Sequence, residues 1–430
     1  MTRNKPWTAV SKALVGVTTM LIVTLVLASG TAAAGTYKPL HSFTWAKNPN
    51  GNLILDAAGN LYGTTYNGGG HDLGAVFKLE PNPDGPWTVS ILHSFAGTDG
   101  ANPAAGLVFD AAGNLYGTTQ SGGLTGDCQG PNGGGPNSCG VVFKLTPNAD
   151  GTWTESVLYS FMGIPDAANP VGGLIFDAAG NLYGTTSAGG GGVGTVFKLT
   201  PSAGGTWTES VLHSFGGGWD GGYPYAGLIF DTAGNLYGTS FYGGDTRVVA
   251  CGCGVVWKLE PNPEGTWTMS ALFSFMGEDG ALPYAGLIFD AAGNLYGTTE
   301  EGGYLSVCPV NADRIIGGCG VVFKLTPTSS GWSETVLLAF LGKPGEYPYA
   351  GVIMDAAGNL YGTTYGQNTN YGSVFELTHT STGWSDTVLH KFTGTGEYPI
   401  AGLTMDAAGN LYGTTSAGTD NYGLVFEITP

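Results

Sequence analysis

Residues 173–186 read GLIFDAAGNLYGTT, and this stretch decides the fold. Its first part, residues 173–176, is apolar and β-forming, and so is its last part, residues 181–186. Between them, Asp177 can accept hydrogen bonds from the backbone two residues on, and Gly180 supplies the left-handed conformation that ends a type I turn with a bulge. The stretch therefore predicts a β-hairpin, with a strand a before the turn and a strand b after it.

The hairpin sequence occurs seven times, at intervals of 51 to 67 residues. The aspartate that opens each turn stands at Asp56, Asp110, Asp177, Asp231, Asp290, Asp355 and Asp406. In the third copy, a glycine-rich loop leads to strand c at residues 195–200, and a second turn at residues 201–205 leads to strand d at residues 207–215. Each copy therefore predicts one four-stranded antiparallel sheet with inserted loops.

The two ends of the chain predict how the seven sheets are arranged. A strand-d sequence at residues 37–43 precedes the first strand a, whereas the last copy stops after its strand c at residues 425–428. The spare strand at the start can complete the last sheet, which removes the open edges of the array. We therefore predict an all-β, seven-bladed β-propeller whose ring is closed by pairing of the N-terminal strand with the last blade.

Two recurring runs carry a resemblance to a known family. The runs GNLYGTT at residues 180–186 and GVVFKLTP at residues 140–147 resemble the Gloeo/Verruco (GloVer) tandem repeat of bacterial surface and secreted proteins, including the choice-of-anchor type. The resemblance covers nearly all of residues 37–430. The turn sequence also resembles the blade turns of NHL-type and sensor propellers. This resemblance implies a bacterial exported propeller, and it implies no defined activity and no catalytic residues.

Residues 1–34 resemble a secretory signal peptide. Arg3, Lys5 and Lys12 precede and enter an apolar stretch at residues 13–28, and the small residues 32–34 offer a cleavage site. An uncleaved membrane anchor is the alternative, although the apolar run is short for a full span. We expect cleavage, a single propeller domain at residues 35–430, and no membrane insertion afterwards. The expected location is extracellular, with cell-surface association or the periplasm left open.

The charge of the chain limits its partners. Cleavage would remove three of the 14 basic residues and none of the 32 acidic ones, leaving 11 against 32 and a net charge of −21. Such a surface repels nucleic acid and anionic lipid, so we expect neither as a partner. Each turn aspartate offers a single carboxylate where calcium needs six to eight oxygens, so we expect no cofactor and no metal-binding residues at the turns. The sequence leaves open whether a metal occupies the central channel. We also expect a monomer.

The six cysteines all lie beyond the signal peptide, as expected for an oxidising compartment. Cys128 with Cys139, and Cys308 with Cys319, stand at the two ends of equivalent inserted loops, and each pair predicts a local disulfide. Cys251 and Cys253 are separated by one glycine, and the sequence leaves their redox state open.

The variable loops predict the functional face. The b–c and d–a loops emerge on one face of a propeller and vary here, whereas the a–b and c–d turns on the other face are short and uniform. Aromatic rings stack on sugars and carboxylates accept hydrogen bonds from hydroxyls, so the acids and aromatics of the d–a loops form the candidate ligand-binding set. Its members are Asp99, Trp219, Asp220, Tyr223, Tyr225, Asp279, Tyr284, Glu346, Tyr349 and Glu397. The alternative is that the tyrosines pack between blades and the acids cap turns.

No motif in the sequence predicts catalysis. His41, His93, His213 and His390 share one strand-d position that holds Tyr159, Phe273 and Leu338 in other blades, so they are expected to be structural. Arg247 and Arg314 are the only arginines beyond the signal peptide. The sequence therefore favours a non-enzymatic binding or scaffold propeller that recognises an extracellular polysaccharide or protein. A secreted carbohydrate-active or lactone-cleaving enzyme is the alternative, by analogy of fold.

Overall fold

A computed structural model describes residues 35–124, 128, 138–244, 251–308, 316–342, 345–366, 371–381, 383–394, 396–418 and 422–430. The predicted signal peptide, Arg247 and Arg314 lie outside these residues. Within them the chain is all-β and forms seven antiparallel blades of a propeller, as predicted. No helix among the described residues is long and apolar enough to cross a membrane.

Each blade contains strands a to d in order, with strand a nearest the axis. Blade 1 comprises Ile54–Leu55, Leu61–Thr65, Ala75–Glu80 and Thr88–Ser94. Blade 2 comprises Val108–Phe109, Leu115–Thr119, Val141–Pro147 and Trp153–Ser160. Blade 3 comprises Ile175–Phe176, Leu182–Gly189, Thr195–Pro201 and Trp207–Ser214. Blade 4 comprises Ile229–Phe230, Leu236–Ser240, Val255–Pro261 and Trp267–Ser274. Blade 5 comprises Ile288–Phe289, Leu295–Thr299, Val321–Thr328 and Gly331–Ala339. Blade 6 comprises Ile353–Met354, Leu360–Thr364, Ser373–Thr380 and Gly383–Lys391. Blade 7 comprises Thr404–Met405, Leu411–Thr415, Leu424–Thr429 and, as its strand d, the N-terminal Thr36–Ser42.

The ring closes through the N-terminal strand, as predicted. Thr36–Ser42 pairs antiparallel with Leu424–Thr429, so the first residues of the domain complete blade 7. A second contact near the axis supports this closure, because the backbone N–H of Gly402 in blade 7 donates to Oδ1 of Asn52 in blade 1 at 2.7 Å.

Strand a is shorter than the sequence predicts. In blade 3 it spans Ile175–Phe176, where the apolar run predicted residues 173–176. Of the two preceding residues, Gly173 lines the channel on the axis and Leu174 is buried in the core, and neither makes a ladder pairing. Apolar character therefore marked burial near the axis and not strand pairing.

The a–b turn is held by its aspartate in every blade. In blade 3, Oδ1 of Asp177 accepts the backbone N–H groups of Ala179 and Asn181, both at 2.9 Å. Its Oδ2 accepts the side-chain amide of Asn181 at 2.7 Å and the hydroxyl of Tyr183 at 3.0 Å. Four hydrogen-bond donors therefore contact the two carboxylate oxygens, and these bonds explain why an aspartate stands at this turn without invoking a calcium ion. Gly180 has the expected positive φ of 82°.

The blades pack through aromatic side chains, and one glycine of the motif makes room for them. A Cβ on Gly184 would lie 2.6 Å from Cζ of Phe197 in the neighbouring strand c, so no larger residue fits there. Phe161 at the end of strand d in blade 2 meets the same Phe197 edge-on, with ring centroids 5.1 Å apart. Tyr183 contacts Phe230 of blade 4 in the same way. These contacts join each blade to the next.

The b–c and d–a loops lie on the same face, as predicted, and they pair with each other. Ala46–Lys47 pairs with Asn67–Gly68 in blade 1, and Ala101 bridges to Ser121 in blade 2. Blades 3, 4, 5 and 7 repeat this pairing, at Ala167 with Gly189, Gly222 with Tyr242, Ala281 with Glu301, and Gly396 with Gly418. This loop face surrounds the mouth of the central channel.

Candidate functional site at the channel mouth

The seven d–a loops end in the same unusual backbone conformation. The residue before the loop proline has a φ of 54° to 60° in every blade, at Asn48, Asn102, Asn169, Tyr223, Leu282, Tyr347 and Tyr398. Asparagine adopts this left-handed conformation readily, whereas tyrosine and leucine rarely do. The three favourable residues belong to the d–a loops entering blades 1 to 3, and the four unfavourable ones to those entering blades 4 to 7. The ring is therefore asymmetric at its mouth.

A cavity of about 770 Å³ lies on the axis below these loops. All seven blades line it with the short segment that precedes strand a. The first residue of that segment is a tyrosine in blades 4, 5 and 6, namely Tyr225, Tyr284 and Tyr349. The same position holds Asn50, Ala104, Val171 and Ile400 in blades 1, 2, 3 and 7. At this position, therefore, one wall of the cavity has three tyrosines and the opposite wall has none.

The aromatic wall continues into an unbroken chain of rings. Tyr225 stacks on Tyr284 with centroids 4.9 Å apart, and Tyr284 meets Tyr349 edge-on at 5.4 Å. We call the connected set the aromatic arc; its members are Tyr223, Tyr225, Phe241, Tyr242, Tyr284, Tyr349, Tyr365, Tyr371 and Tyr398. Each ring lies within 6.4 Å of a neighbour, and the arc runs from blade 4 to blade 7.

The opposite wall carries hydrogen-bonding groups. The hydroxyl of Tyr66 donates to Oε1 of Gln120 at 2.8 Å, which leaves the Tyr66 oxygen able to accept and the Gln120 nitrogen able to donate. Asn50 also lines the cavity, and its buried Oδ1 has no hydrogen-bond partner among the described residues. We call Asn50, Tyr66 and Gln120 the polar wall.

The cavity is uncharged. None of its lining residues is an Asp, Glu, Lys, Arg or His among the part of the chain that the structure describes. Behind the aromatic wall, the buried carboxylate of Glu300 accepts the Tyr349 hydroxyl at 2.8 Å. Burial raises the pKa of Tyr284 to about 12, and the Glu300 charge adds to that shift. Burial likewise raises the pKa of Tyr225 and Tyr66, so these phenols are neutral hydrogen-bonding groups.

The predicted acids occupy a different place from the predicted tyrosines. Asp99, Asp220 and Asp279 each accept a backbone N–H just after strand d, from Ala96, Gly216 and Met276 respectively. These contacts cap the d–a turns on the outer part of the loop face. Turn capping was the alternative that the sequence left open for the acids, and it does not exclude ligand binding, which stays a prediction.

Three further members of the predicted set lie apart from the cavity lining. Trp219 is 58% exposed and makes no ring contact with the arc in the described residues. Oε2 of Glu346 lies 3.6 Å from Sγ of Cys308. Glu397 lies in the d–a loop of blade 7, in the short strand Gly396–Glu397 that pairs with Ala417–Gly418 of the b–c loop. The structure brings together Tyr223, Tyr225, Tyr284 and Tyr349 from the predicted set, in one continuous surface.

The sequence interpretation missed the position that follows the Gly-Thr-Thr or Gly-Thr-Ser run of strand b. Its residues are Tyr66, Gln120, Ser187, Phe241, Glu300, Tyr365 and Ser416. Tyr66, Gln120 and Phe241 line the cavity, and Tyr365 belongs to the aromatic arc. The sequence did contain a signal for this position. The Leu-Tyr-Gly-Thr run is nearly identical in the seven copies, whereas the residue two positions after it differs between most of them. Departures from repetition mark this site better than residue type alone.

The histidines are half-buried on strand d, as expected. Nε2 of His93 lies 2.9 Å from Asp99 and that of His213 lies 3.2 Å from Asp220. His93, Asp99 and Glu155 bring potential metal ligands within 4.8 Å of one another. Glu155 with Asp99 has counterparts in Glu209 with Asp166 and Glu334 with Asp279, where Tyr159 or Phe273 replaces the histidine. The acid pairs are therefore a repeated feature of blade junctions, and we assign no metal to them.

The cysteines pair as the sequence predicts. Cys128 bonds to Cys139 and Cys308 to Cys319, each across a separation of 11 residues. Cys251 and Cys253, whose state the sequence left open, are also bonded. Three disulfides in the b–c loops of blades 2, 4 and 5 are in keeping with an oxidising compartment.

Comparison with known proteins places the chain in a family and a fold. A family model described as the Gloeobacter/Verrucomicrobia repeat matches residues 26–130, 128–307 and 306–430. No curated protein matches the chain.

Solved structures with a similar backbone share little sequence with this chain. A protein of Bacteroides fragilis, named as a proposed 6-phosphogluconolactonase, is 13% identical with a TM-score of 0.52, over 86% of this chain and 98% of the other. An ancestral GH74 enzyme is also 13% identical with a TM-score of 0.52, over 90% of this chain and 51% of the other. At this identity the likeness shows the propeller fold alone. Since the family model spans the whole described domain, the chain belongs to the Gloeobacter/Verrucomicrobia repeat family.

Proposed function

We propose that the protein is a secreted, non-enzymatic propeller that binds an extracellular polysaccharide at its channel mouth. The observation that carries the proposal is the aromatic arc beside an uncharged cavity. Sugars present flat apolar faces that pack on aromatic rings and hydroxyls that pair with neutral polar groups, so a site of this composition suits them.

The volume and the shape of the cavity support a small part of a glycan as ligand. At about 770 Å³ the cavity falls within the range of roughly 300–1,000 Å³ that small-molecule sites occupy. The left-handed tyrosines Tyr223 and Tyr398 add a second argument. The conformation itself recurs in all seven blades, so what distinguishes these two positions is a tyrosine where blades 1 to 3 have asparagine, and both tyrosines belong to the arc.

The composition of the cavity favours binding over hydrolysis. Glycoside hydrolysis in most enzymes needs two carboxyl groups facing the scissile bond, about 5 to 10 Å apart. The described lining of the cavity has no carboxyl group, and Glu300 is already hydrogen-bonded behind Tyr349. A lactone-cleaving or carbohydrate-active enzyme remains the alternative, because propellers with a similar backbone carry such names. None of the described residues that line the cavity is a carboxylate or histidine that would favour it.

The proposal is tested on a broad glycan array with the full chain, exported and processed by a bacterial host. We expect a reproducible neutral glycan ligand whose binding is lost in Tyr284→Ala. Tyr304→Ala is the matched control, because Tyr304 lies in the b–c loop of the same blade, 59% exposed and outside the arc. Equal binding by both variants contradicts the proposal. Binding of a protein in place of any glycan points to the other partner class, and product formation from the bound glycan points to the enzyme.

A further inference from the structure

Three blades carry a buried cysteine at the same position of the repeat, directly before the glycine that leads into strand c. The position holds a cysteine in blades 2, 4 and 5 and an aliphatic or aromatic residue in the other blades. From blade 1 to blade 7 the residues are Leu73, Cys139, Val193, Cys253, Cys319, Tyr371 and Tyr422. A free cysteine packs as a small apolar residue, so this position suits a thiol as well as a disulfide.

The backbone contact at this position does not depend on a disulfide. The carbonyl oxygen of Cys253 accepts the N–H of Leu282, in the d–a loop that enters blade 5, at 2.7 Å. In blade 3 the carbonyl oxygen of Val193 accepts the equivalent N–H of Tyr223 at the same distance. Blade 3 therefore makes the same junction with an aliphatic side chain, and blade 4 does not need a sulfur bond to make it.

The disulfide of blade 4 also closes almost no loop. The bonds in blades 2 and 5 each join cysteines 11 positions apart and enclose an inserted loop. Cys251 and Cys253 are separated by Gly252 alone, whose φ of 57° lets the chain turn and bring their Cα atoms within 5.1 Å. In the loop-entropy model, a disulfide stabilises the fold more as it encloses more residues. Opening the bond of blade 4 should therefore destabilise the fold least.

Cys251 is easier to reach and to move than its counterpart in blade 5. It is half-buried, whereas Cys308 and Cys319 are both buried. The carbonyl oxygen of Cys308 accepts the N–H of Gly318 at 2.7 Å, which keeps Cys308 beside Cys319 even when their bond is open. The described residues give Cys251 no such hydrogen bond. A thiol can therefore attack Cys251, and the two sulfurs of blade 4 can then separate.

We infer that Cys251 and Cys253 form a redox-active site that exchanges with small thiols while the chain stays folded. The thiol loses its proton to water, and its thiolate attacks Sγ of Cys251, which forms a mixed disulfide and releases Cys253 to take up a proton. A second thiolate attacks the sulfur of the first, which leaves a small-molecule disulfide and two cysteine thiols. Two thiols are thus oxidised and the protein bond is reduced by two electrons. A small-molecule disulfide reverses both steps.

Graded mixtures of reduced and oxidised glutathione test this inference on the full chain, exported and processed by a bacterial host. Free thiols are alkylated, and mass spectrometry of the peptides then reports the state of each cysteine. We expect Cys251 and Cys253 to open at a concentration of reduced glutathione at least tenfold lower than Cys308 and Cys319 require, and to close again in oxidised glutathione. Opening of both pairs at the same concentration, or unfolding when Cys251 and Cys253 open, overturns the inference.

Two matched double variants supply the protein side of the test. Cys251→Ser with Cys253→Val places the valine of blade 3 in blade 4 and should leave the melting temperature within about 3 °C of the parent chain. Cys308→Ser with Cys319→Val should lower the melting temperature more and leave the exchange at Cys251 unchanged. If the first variant melts lower than the second, the bond of blade 4 is a structural staple and the inference fails. Neither measurement depends on glycan binding, so the proposed function stands or falls separately.

Discussion

The two ends of strand b differ in how strictly the seven blades repeat. At its start, the turn aspartate makes the same hydrogen bonds in every blade, for example from Asn60 and Tyr62 to Asp56 in blade 1. At its end, the next residue is Tyr66, Gln120 or Phe241 in the first, second and fourth blades. A residue that every blade needs serves the blade, whereas one ligand on the axis meets each blade differently. We therefore interpret what repeats in every blade as structural, and what departs from the repeat as the mark of the candidate site.

The largest expected effect comes from breaking a repeated turn. Asp177→Ala removes the acceptor of four hydrogen bonds and should lower the free energy of unfolding by roughly 2–3 kcal/mol. Chemical denaturation measures this change. Asp84→Ala is the control, because Asp84 is an exposed turn acid outside this network. Equal stability of the two variants would mean that the repeated network is not what holds the turn.

The next effect comes from the aromatic arc. Tyr284→Ala should weaken glycan binding by about 2 kcal/mol, or roughly thirtyfold, because aromatic anchors at the centre of a site dominate its affinity. Tyr284→Phe keeps the ring and should keep most of the affinity. Calorimetric titration with the ligand from the array separates the two variants. If the phenylalanine variant binds as poorly as the alanine variant, the hydroxyl and not the ring carries recognition.

A smaller effect concerns pH. Burial raises the pKa of Glu155, Glu209 and Glu334 to about 7, with the charges of Asp99, Asp166 and Asp279 adding to the shifts. A carboxyl whose pKa is raised on folding holds a proton that the unfolded chain releases. Stability should therefore fall as pH rises from about 4.5 to about 7 and then level off.

The triple substitution Glu155→Gln, Glu209→Gln and Glu334→Gln should flatten this part of the stability profile, as measured by thermal melts across that pH range.

The turn aspartates act in the opposite direction. Burial alone would raise the pKa of Asp177, but hydrogen bonds from Asn181, Tyr183 and Ala179 outweigh it and lower the pKa. Their contribution is lost only as pH falls below the usual range of an aspartate. An unchanged slope in the triple variant would assign the pH dependence to other groups.

The smallest effect is expected at Trp219. This side chain is a sequence-predicted site residue, yet it is exposed and makes no ring contact with the arc among the described residues. Trp219→Ala should change glycan affinity by less than about twofold, or 0.4 kcal/mol. A loss as large as that of Tyr284→Ala in the same titration would move the binding surface from the channel to the outer rim.

The sequence predicted the architecture because repetition averages out local ambiguity. Seven copies of one turn, together with the spare strand at residues 37–43, were enough for blade number and closure, and the spacing of Cys128 and Cys139 was enough for a disulfide. The site was predicted only in part. Tyr225, Tyr284 and Tyr349 were chosen by residue type, and the same criterion also selected Asp99 and Trp219, which lie elsewhere.

The missing information was geometric. In each d–a loop a residue with positive φ precedes the proline, such as Tyr223, and the residues after the proline line the cavity. A tyrosine at that position gives no local sign of the left-handed conformation. The contact between Tyr66 and Gln120 joins residues 54 positions apart, so nothing in either segment alone predicts it.

The most direct test of the account compares two matched triple variants in blades 4, 5 and 6. One replaces the channel tyrosines Tyr225, Tyr284 and Tyr349 by alanine, and the other replaces the turn aspartates Asp231, Asp290 and Asp355 by alanine. Calorimetric titration with the array-derived glycan is run at a temperature at which both variants are folded. The account predicts that the tyrosine variant loses binding while the aspartate variant binds with unchanged affinity. Retained binding by the tyrosine variant, or equal loss by both, contradicts it.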